Sequence, residues 1–151
     1  MAALDLSATE AEPELLPFAL NRLMAAWNAR LAERLAAHGL GFPQWRVLMV
    51  AARAPAPLTI LELSEHTLVP HSTLSRQVAA LERDGLVRRV PSTEDGRAVC
   101  VVLTPKGRAR YREVLPLAAA ETQVGLGGLS AAELLELRRL VARIAQALDA
   151  R

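Results

Sequence analysis

The sequence predicts a mainly α-helical fold that carries one small β-wing. Three observations lead there. Apolar residues make up 52% of the 151-residue chain but aromatics only 3%, and much of the apolar content is Ala and Leu, both strong helix formers. Most of those apolar residues recur at steps of three and four. One segment, from Val87 to Leu103, departs from that spacing and is centred on an Asp95-Gly96 pair that favours a tight hairpin turn. The length suits a single domain with its own core, so residues 1–151 are read as one unit.

Met1 to Glu12 is polar and Ala-rich and reads as a loose arm. A long helix is expected from Pro13 or Pro17 to His38. Leu20, Leu23, Met24, Trp27, Leu31 and Leu35 share one of its faces, and Gly39 and Gly41 end it. Phe42 and Pro43 open a second helix, lined inside by Trp45, Leu48, Met49 and Ala52; Ala54 to Pro57 is a loop. Thr59-Ile60-Leu61-Glu62 has the capping-box pattern and starts a short third helix that ends near Thr67, because Pro70 disfavours helical geometry at Val69.

The fourth helix is expected from Pro70 or His71 to Asp84. Leu74, Val78 and Leu81 face inward, so Ser72, Thr73, Ser75 and Arg76 face outward, and Gly85 stops the helix. Strands follow at about Val87–Pro91 and Ala98–Leu103, the second with Val99, Val101 and Leu103 on one face. Thr104-Pro105 opens a fifth helix, in which Pro116 should produce a kink or a break, and Gly125, Gly127 and Gly128 end it. Ser130-Ala131-Ala132-Glu133 is a second capping box. It starts a last helix whose Leu134, Leu137, Val141, Ile144 and Leu148 step by three and four as a heptad-like seam.

Charge is unevenly spread. The chain carries a net charge of +2, yet from His71 to Arg112 nine basic residues stand against four acidic ones. Such a block suits a polyanion. Cys100 is the single cysteine, which excludes an intrachain disulfide and fits a reducing compartment. With no apolar run of membrane length and an acidic N-terminal stretch, the expectation is a cytoplasmic protein with no membrane partner. His66, His71 and Glu62 lack the Cys/His company that a metal centre needs, so neither a metal nor a cofactor is expected. Paired His/Asp/Ser groups and a Gly-rich phosphate loop are also missing, which argues against an enzyme.

Two short helices followed by a β-ribbon, with basic outer faces, make a winged helix-turn-helix spanning residues 43–104. Small polar side chains near the start of the fourth helix (Ser72, Thr73 and Ser75), with His71 beside them as a further DNA-binding candidate, would let its backbone approach the floor of a DNA major groove. Arg76 would supply a long donor for base edges or phosphate. Arg97 at the tip of the wing could enter the minor groove, with Asp95 orienting it; Arg88 and Arg89 would meet backbone phosphates.

The run STLSRQVAALERDGLVRR, then DGR, then LTPKG, resembles the multiple-antibiotic-resistance regulator (MarR) family. The resemblance covers nearly the whole chain and departs from the usual motif at Leu68, where many helix-turn-helix turns place glycine. It implies a bacterial transcription regulator that binds double-stranded DNA. Ser72, Thr73, Ser75 and Arg76 would then lie in the major groove and Arg97 in the minor groove. It also implies homodimers joined through the terminal helices, residues 1–38 and 105–151, and DNA affinity that falls when a small, often phenolic, molecule binds. The last helix is consistent with that: its seam, together with Leu20 of the first helix, is either intramolecular core or a surface shared between two chains. The two end segments carry more apolar surface than the small winged region can cover, which favours the dimer. A pocket for a small aromatic effector is expected between the terminal helices and the winged region, with Trp27, His38, Trp45, Arg46, Met49 and Tyr111 as candidate lining residues. The expected function is therefore a ligand-responsive repressor that binds a palindromic operator as a homodimer.

Overall fold

The computed structural model describes residues 13–92 and 98–150. A 3-10 turn at Pro13–Leu15 leads into helix α1, Leu16–Ala37, with Pro17 in the first turn, where a missing N–H costs nothing. Then come α2 (Phe42–Arg53), β1 (Leu58–Thr59), α3 (Ile60–Thr67), α4 (His71–Arg83), β2 (Val87–Pro91), β3 (Val99–Leu103), α5 (Pro105–Leu126) and α6 (Ala131–Asp149). The mainly helical fold with a small wing is thus the observed one. The three strands form an antiparallel sheet in the order β1-β3-β2, with Val87 opposite Leu103 at the base and Pro91 opposite Val99 toward the tip.

One core holds the central elements together. Leu48 of α2, Leu63 of α3, Leu74, Val78 and Leu81 of α4, Val101 of β3 and Val114 of α5 are buried in it. Leu35 anchors the end of α1 to the same cluster. Both predicted capping boxes are present. Thr59 accepts from the Glu62 amide while the Glu62 carboxylate accepts from the Thr59 amide at 2.7 Å; Ser130 and Glu133 do the same at the start of α6. Gly85 stops α4 with φ of 72°, a conformation that costs glycine nothing.

Several local expectations need correction. Leu58–Thr59, where the sequence marks only the cap at Thr59, also forms a third strand against β3; two residues are too few to show a period. Val47, outside the predicted face of α2, is fully buried, whereas Met49 and Ala52 are only partly so. Ala98 falls just outside β3. Val99 is exposed, because the wing has by then run past the core, while Cys100 is buried among β1, β2 and β3. Helix α5 passes through Pro116 without interruption and includes Gly125; its C-cap is Gly127.

The two terminal helices differ from the centre. Leu31 and Leu35 in the second half of α1 are buried, but Leu16, Phe18, Leu20, Leu23 and Met24 in its first half are exposed. No residue of α6 is buried. Of its predicted seam only Leu134 is partly covered; Leu137, Val141, Ile144 and Leu148 are 39–69% exposed. The seam is therefore not intramolecular core. Among the described residues no helix is long and apolar enough to cross a membrane.

Candidate nucleic-acid interface

Helix α4 shows the division that its sequence predicts. Leu74, Val78 and Leu81 are completely buried, while His71, Ser72 and Arg76 are exposed; Thr73 and Ser75 sit at the margin, partly covered. Arg76 has no hydrogen-bond or ion-pair partner among the described residues, so its guanidinium is available. The helix begins at Pro70 with no side-chain cap and no acidic residue in its first turn. Its leading N–H groups and the positive end of its dipole therefore stay open to an anion such as a phosphate.

The turn before α4 is held from three sides. Leu68 adopts the left-handed conformation (φ 54°, ψ 29°), the only non-glycine residue with positive φ among those described, and its side chain is 80% exposed. A branched side chain there is strained by about 1 kcal/mol relative to glycine. Arg46 of α2 donates to the Thr67 carbonyl at 2.9 Å, and Ser64 donates to the Val69 carbonyl at 2.8 Å. The Thr67 hydroxyl, buried, donates back to Leu63. Together these fix a turn that glycine usually makes and that Leu68 left open in the sequence.

At the wing, Arg88 and Arg89 are both exposed but not equivalent. Glu82 accepts from the Arg89 amide at 3.0 Å and lies 3.4 Å from its guanidinium, which ties Arg89 to the end of α4. Arg88 has no such partner among the described residues. The base of the wing is fastened by Thr104, whose hydroxyl donates to Gly85 at 2.7 Å, and by Lys106, which donates to the Asp84 carbonyl at 2.8 Å. Asp95 and Arg97 lie outside the described residues.

A cleft of about 710 Å³ opens between α1, α2 and α5. Of the candidate effector residues it brings together Trp27, Trp45, Arg46 and Met49. It also recruits Phe42, Arg53 and Gln123, which the sequence reading did not select. Tyr111 is not in the lining; it stacks behind Trp45 at 5.6 Å between ring centroids. His38 is not there either: it is exposed at the end of α1, where its carbonyl accepts from Arg110. Three of the five aromatic residues in the chain line this cleft and a fourth backs it. Arg46 lies over the Phe42 ring at 4.7 Å and Arg53 over Tyr111 at 5.9 Å. The wall contains two arginines and no carboxylate. Gly125 allows α5 to approach Trp27 of α1 closely, since a Cβ there would come within 2.8 Å of its ring.

The buried carboxylate of Glu121 on α5 also escaped the sequence reading. It pairs with Arg30 at 2.8 Å and with Arg34, and so clamps the second half of α1 to α5 beside the cleft. Its only trace in the sequence is a lone acid in an Ala-rich stretch.

An exposed recognition helix with an open N-terminus, a buttressed turn before it and a basic β-ribbon after it define a winged helix-turn-helix DNA-binding protein. A family model described as MarR family matches residues 38–98. The crystal structure of transcriptional regulator PA3341 is 34% identical, superimposes with a TM-score of 0.83, and the match covers 90% of this chain and 99% of that one. A MarR family regulator from Silicibacter pomeroyi is 30% identical with a TM-score of 0.78, over 95% and 94% of the two chains. The transcriptional repressor IacR of Pseudomonas putida is 29% identical over 91% of this chain and 82% of its own length. The chain belongs to the MarR family and is a DNA-binding transcriptional regulator.

Proposed function

We propose that the protein is an effector-responsive repressor that binds a palindromic operator as a homodimer. The uncovered seam of α6 carries this reading. A helix of 19 residues with four large aliphatic side chains exposed along one face calls for a partner on that face, since packing of an apolar face supplies most of a helix's stability in a protein. The first half of α1 presents Leu16, Leu20, Leu23 and Met24 in the same unpartnered way. A second copy that covers both with its own equivalents satisfies them through a two-fold contact, and a two-fold axis pairs naturally with an inverted repeat in DNA. Relatives named as repressors support the direction of regulation.

In this reading Ser72, Thr73, Ser75 and Arg76 enter the major groove beside His71. Arg88 and Arg89 contact phosphates at the wing base, Arg89 while still paired with Glu82. Arg97, oriented by Asp95, reaches the minor groove. The cleft takes a small aromatic acid: rings stack on Trp27, Trp45 or Phe42, and Arg46 or Arg53 receives the carboxylate. BpsR of Bordetella bronchiseptica, 26% identical, has its DNA binding regulated by 6-hydroxynicotinic acid, and Rv2887 of Mycobacterium tuberculosis, 25% identical, forms a complex with p-aminosalicylic acid. The same chemistry suits this lining.

Selection of bound sequences from random DNA tests the proposal. It should recover an inverted repeat with half-sites one helical turn, roughly 34 Å, apart. Arg76→Ala should then weaken binding to that operator by about 1–3 kcal/mol and relax the preference at one position of each half-site. Recovery of single asymmetric sites, bound equally well by the Arg76 variant, would refute it.

A further inference from the structure

Arg46 occupies two places at once. Its side chain lines the cleft between α1, α2 and α5, and its Nη1 donates at 2.9 Å to the Thr67 carbonyl, the last helical residue of α3. That carbonyl is one of those left without an intrahelical partner at a helix end. The next residue is Leu68, held in a left-handed conformation that glycine, not leucine, prefers. Two residues further on, Pro70 begins the recognition helix. The cleft and the DNA-reading face are thus joined through one guanidinium and three residues of backbone.

From this geometry we infer that Arg46 is the residue through which an anionic ligand in the cleft releases the turn that positions α4. The inference rests on the proposed effector role of the cleft. A carboxylate forms a hydrogen bond with a guanidinium that is roughly twice as strong as one with a neutral carbonyl. The ligand therefore draws Arg46 inward, along the Phe42 ring that already supports it at 4.7 Å. The Thr67 carbonyl loses its partner. The turn then keeps the Ser64 hydroxyl on the Val69 carbonyl and the Thr67 hydroxyl on Leu63 but loses its hydrogen bond from α2, against the strain at Leu68. A turn so loosened no longer fixes the direction of α4, and the two reading helices of a dimer lose their set separation. Leucine at position 68 is what makes the lock releasable, because a glycine there would keep the same turn without help.

The test needs no ligand for its first arm. In R46Q, amide hydrogen exchange at the hydrogen-bonded groups that flank the turn, those of the last turn of α3 (residues 65–67) and Leu74, which donates to the Pro70 carbonyl at 2.8 Å, should rise by roughly tenfold, matching the loss of one charge-assisted hydrogen bond, while β2, β3 and the rest of α4 keep wild-type protection. Affinity for the selected operator should fall by a similar factor. The added change L68G should restore both, since it removes the strain that drives the release. R46M, which keeps the aliphatic stem and removes every donor, takes the place of R46Q if that variant does not fold. Unchanged exchange at these flanking amides, a rise spread evenly over the whole molecule, or no rescue by L68G would each overturn the inference. The second arm adds p-aminosalicylate or 6-hydroxynicotinate to the wild type and follows tryptophan fluorescence. Both tryptophans of the chain line the cleft, so the signal reports its occupancy. Binding that quenches fluorescence and raises exchange at the flanking amides (residues 65–67 and Leu74) in the wild type, but not further in R46Q, supports the coupling. Quenching with no change at the turn overturns it. No quenching by either acid counts against the effector reading of the cleft and leaves the coupling to be decided by the first arm.

Discussion

Helices α4 and α6 carry nearly the same apolar pattern and meet opposite fates. In α4, Leu74, Val78 and Leu81 step by four and three and are fully buried against α2, α3 and the sheet. In α6, Leu137, Val141, Ile144 and Leu148 step by four, three and four and remain exposed. Periodicity says that a helix has an apolar face; it does not say what covers that face. The chain covers one and leaves the other. The winged region is a finished core that displays polar groups, whereas α6 and the first half of α1 leave large apolar side chains uncovered. Helix α1 contains both conditions, buried and clamped through Glu121 in its second half, open in its first.

The comparison is broken most severely by charging the open seam. Val141→Glu with Ile144→Glu should leave the winged region folded yet give a monomer in sedimentation, with operator affinity lower by on the order of 100-fold or more, because the two reading heads no longer act together. A dimer that persists in this variant would show that the seam is not shared.

Truncating one residue in each helix separates the two kinds of core. Leu74→Ala should destabilise the protein by about 2–5 kcal/mol, as expected for a cavity in a packed interior. Ile144→Ala should instead make the melting temperature depend more steeply on protein concentration, since the loss falls on association. Equal, concentration-independent shifts from both would contradict the division drawn between them.

A smaller effect is expected at the wing. Arg97→Ala should lower the slope of log affinity against log salt by about 0.9, the release of one counterion. An unchanged slope would remove Arg97 from the interface.

The smallest effect lies in the cap of α6. The Ser130 hydroxyl and amide hold the Glu133 carboxyl below its ordinary value. A carboxyl depressed in the folded state contributes stability above its unfolded pKa, about 4.3, and that contribution is lost as pH falls through the lower folded value. Wild type should thus melt slightly above Glu133→Gln at pH 6, with the gap closing toward pH 3.5. A gap that survives acidification would mean that the cap does not depend on the charge.

The helices and the wing were legible in the sequence because local signals mark them: capping boxes at Thr59 and Ser130, Gly85 after α4, alternating residues in β3. The outward face of α4 was legible for the same reason, since three buried positions at helical spacing determine the rest. The cleft was only partly legible. Trp27, Trp45, Arg46 and Met49 could be singled out by type, but Phe42, Arg53 and Gln123 join them through packing of helices distant in sequence. His38 faces away because its helix ends there. Nor could the Arg46 bond to Thr67 be foreseen, for it joins positions 21 residues apart across two helices. Leu68 was visible as an oddity, and only the turn geometry shows what it costs.

Native mass spectrometry of the full chain with the selected operator tests the central claim most directly. Two chains on one duplex, and a two-chain species without DNA at the same protein concentration, are the predicted result. One chain per duplex, with only single chains in its absence, would contradict it.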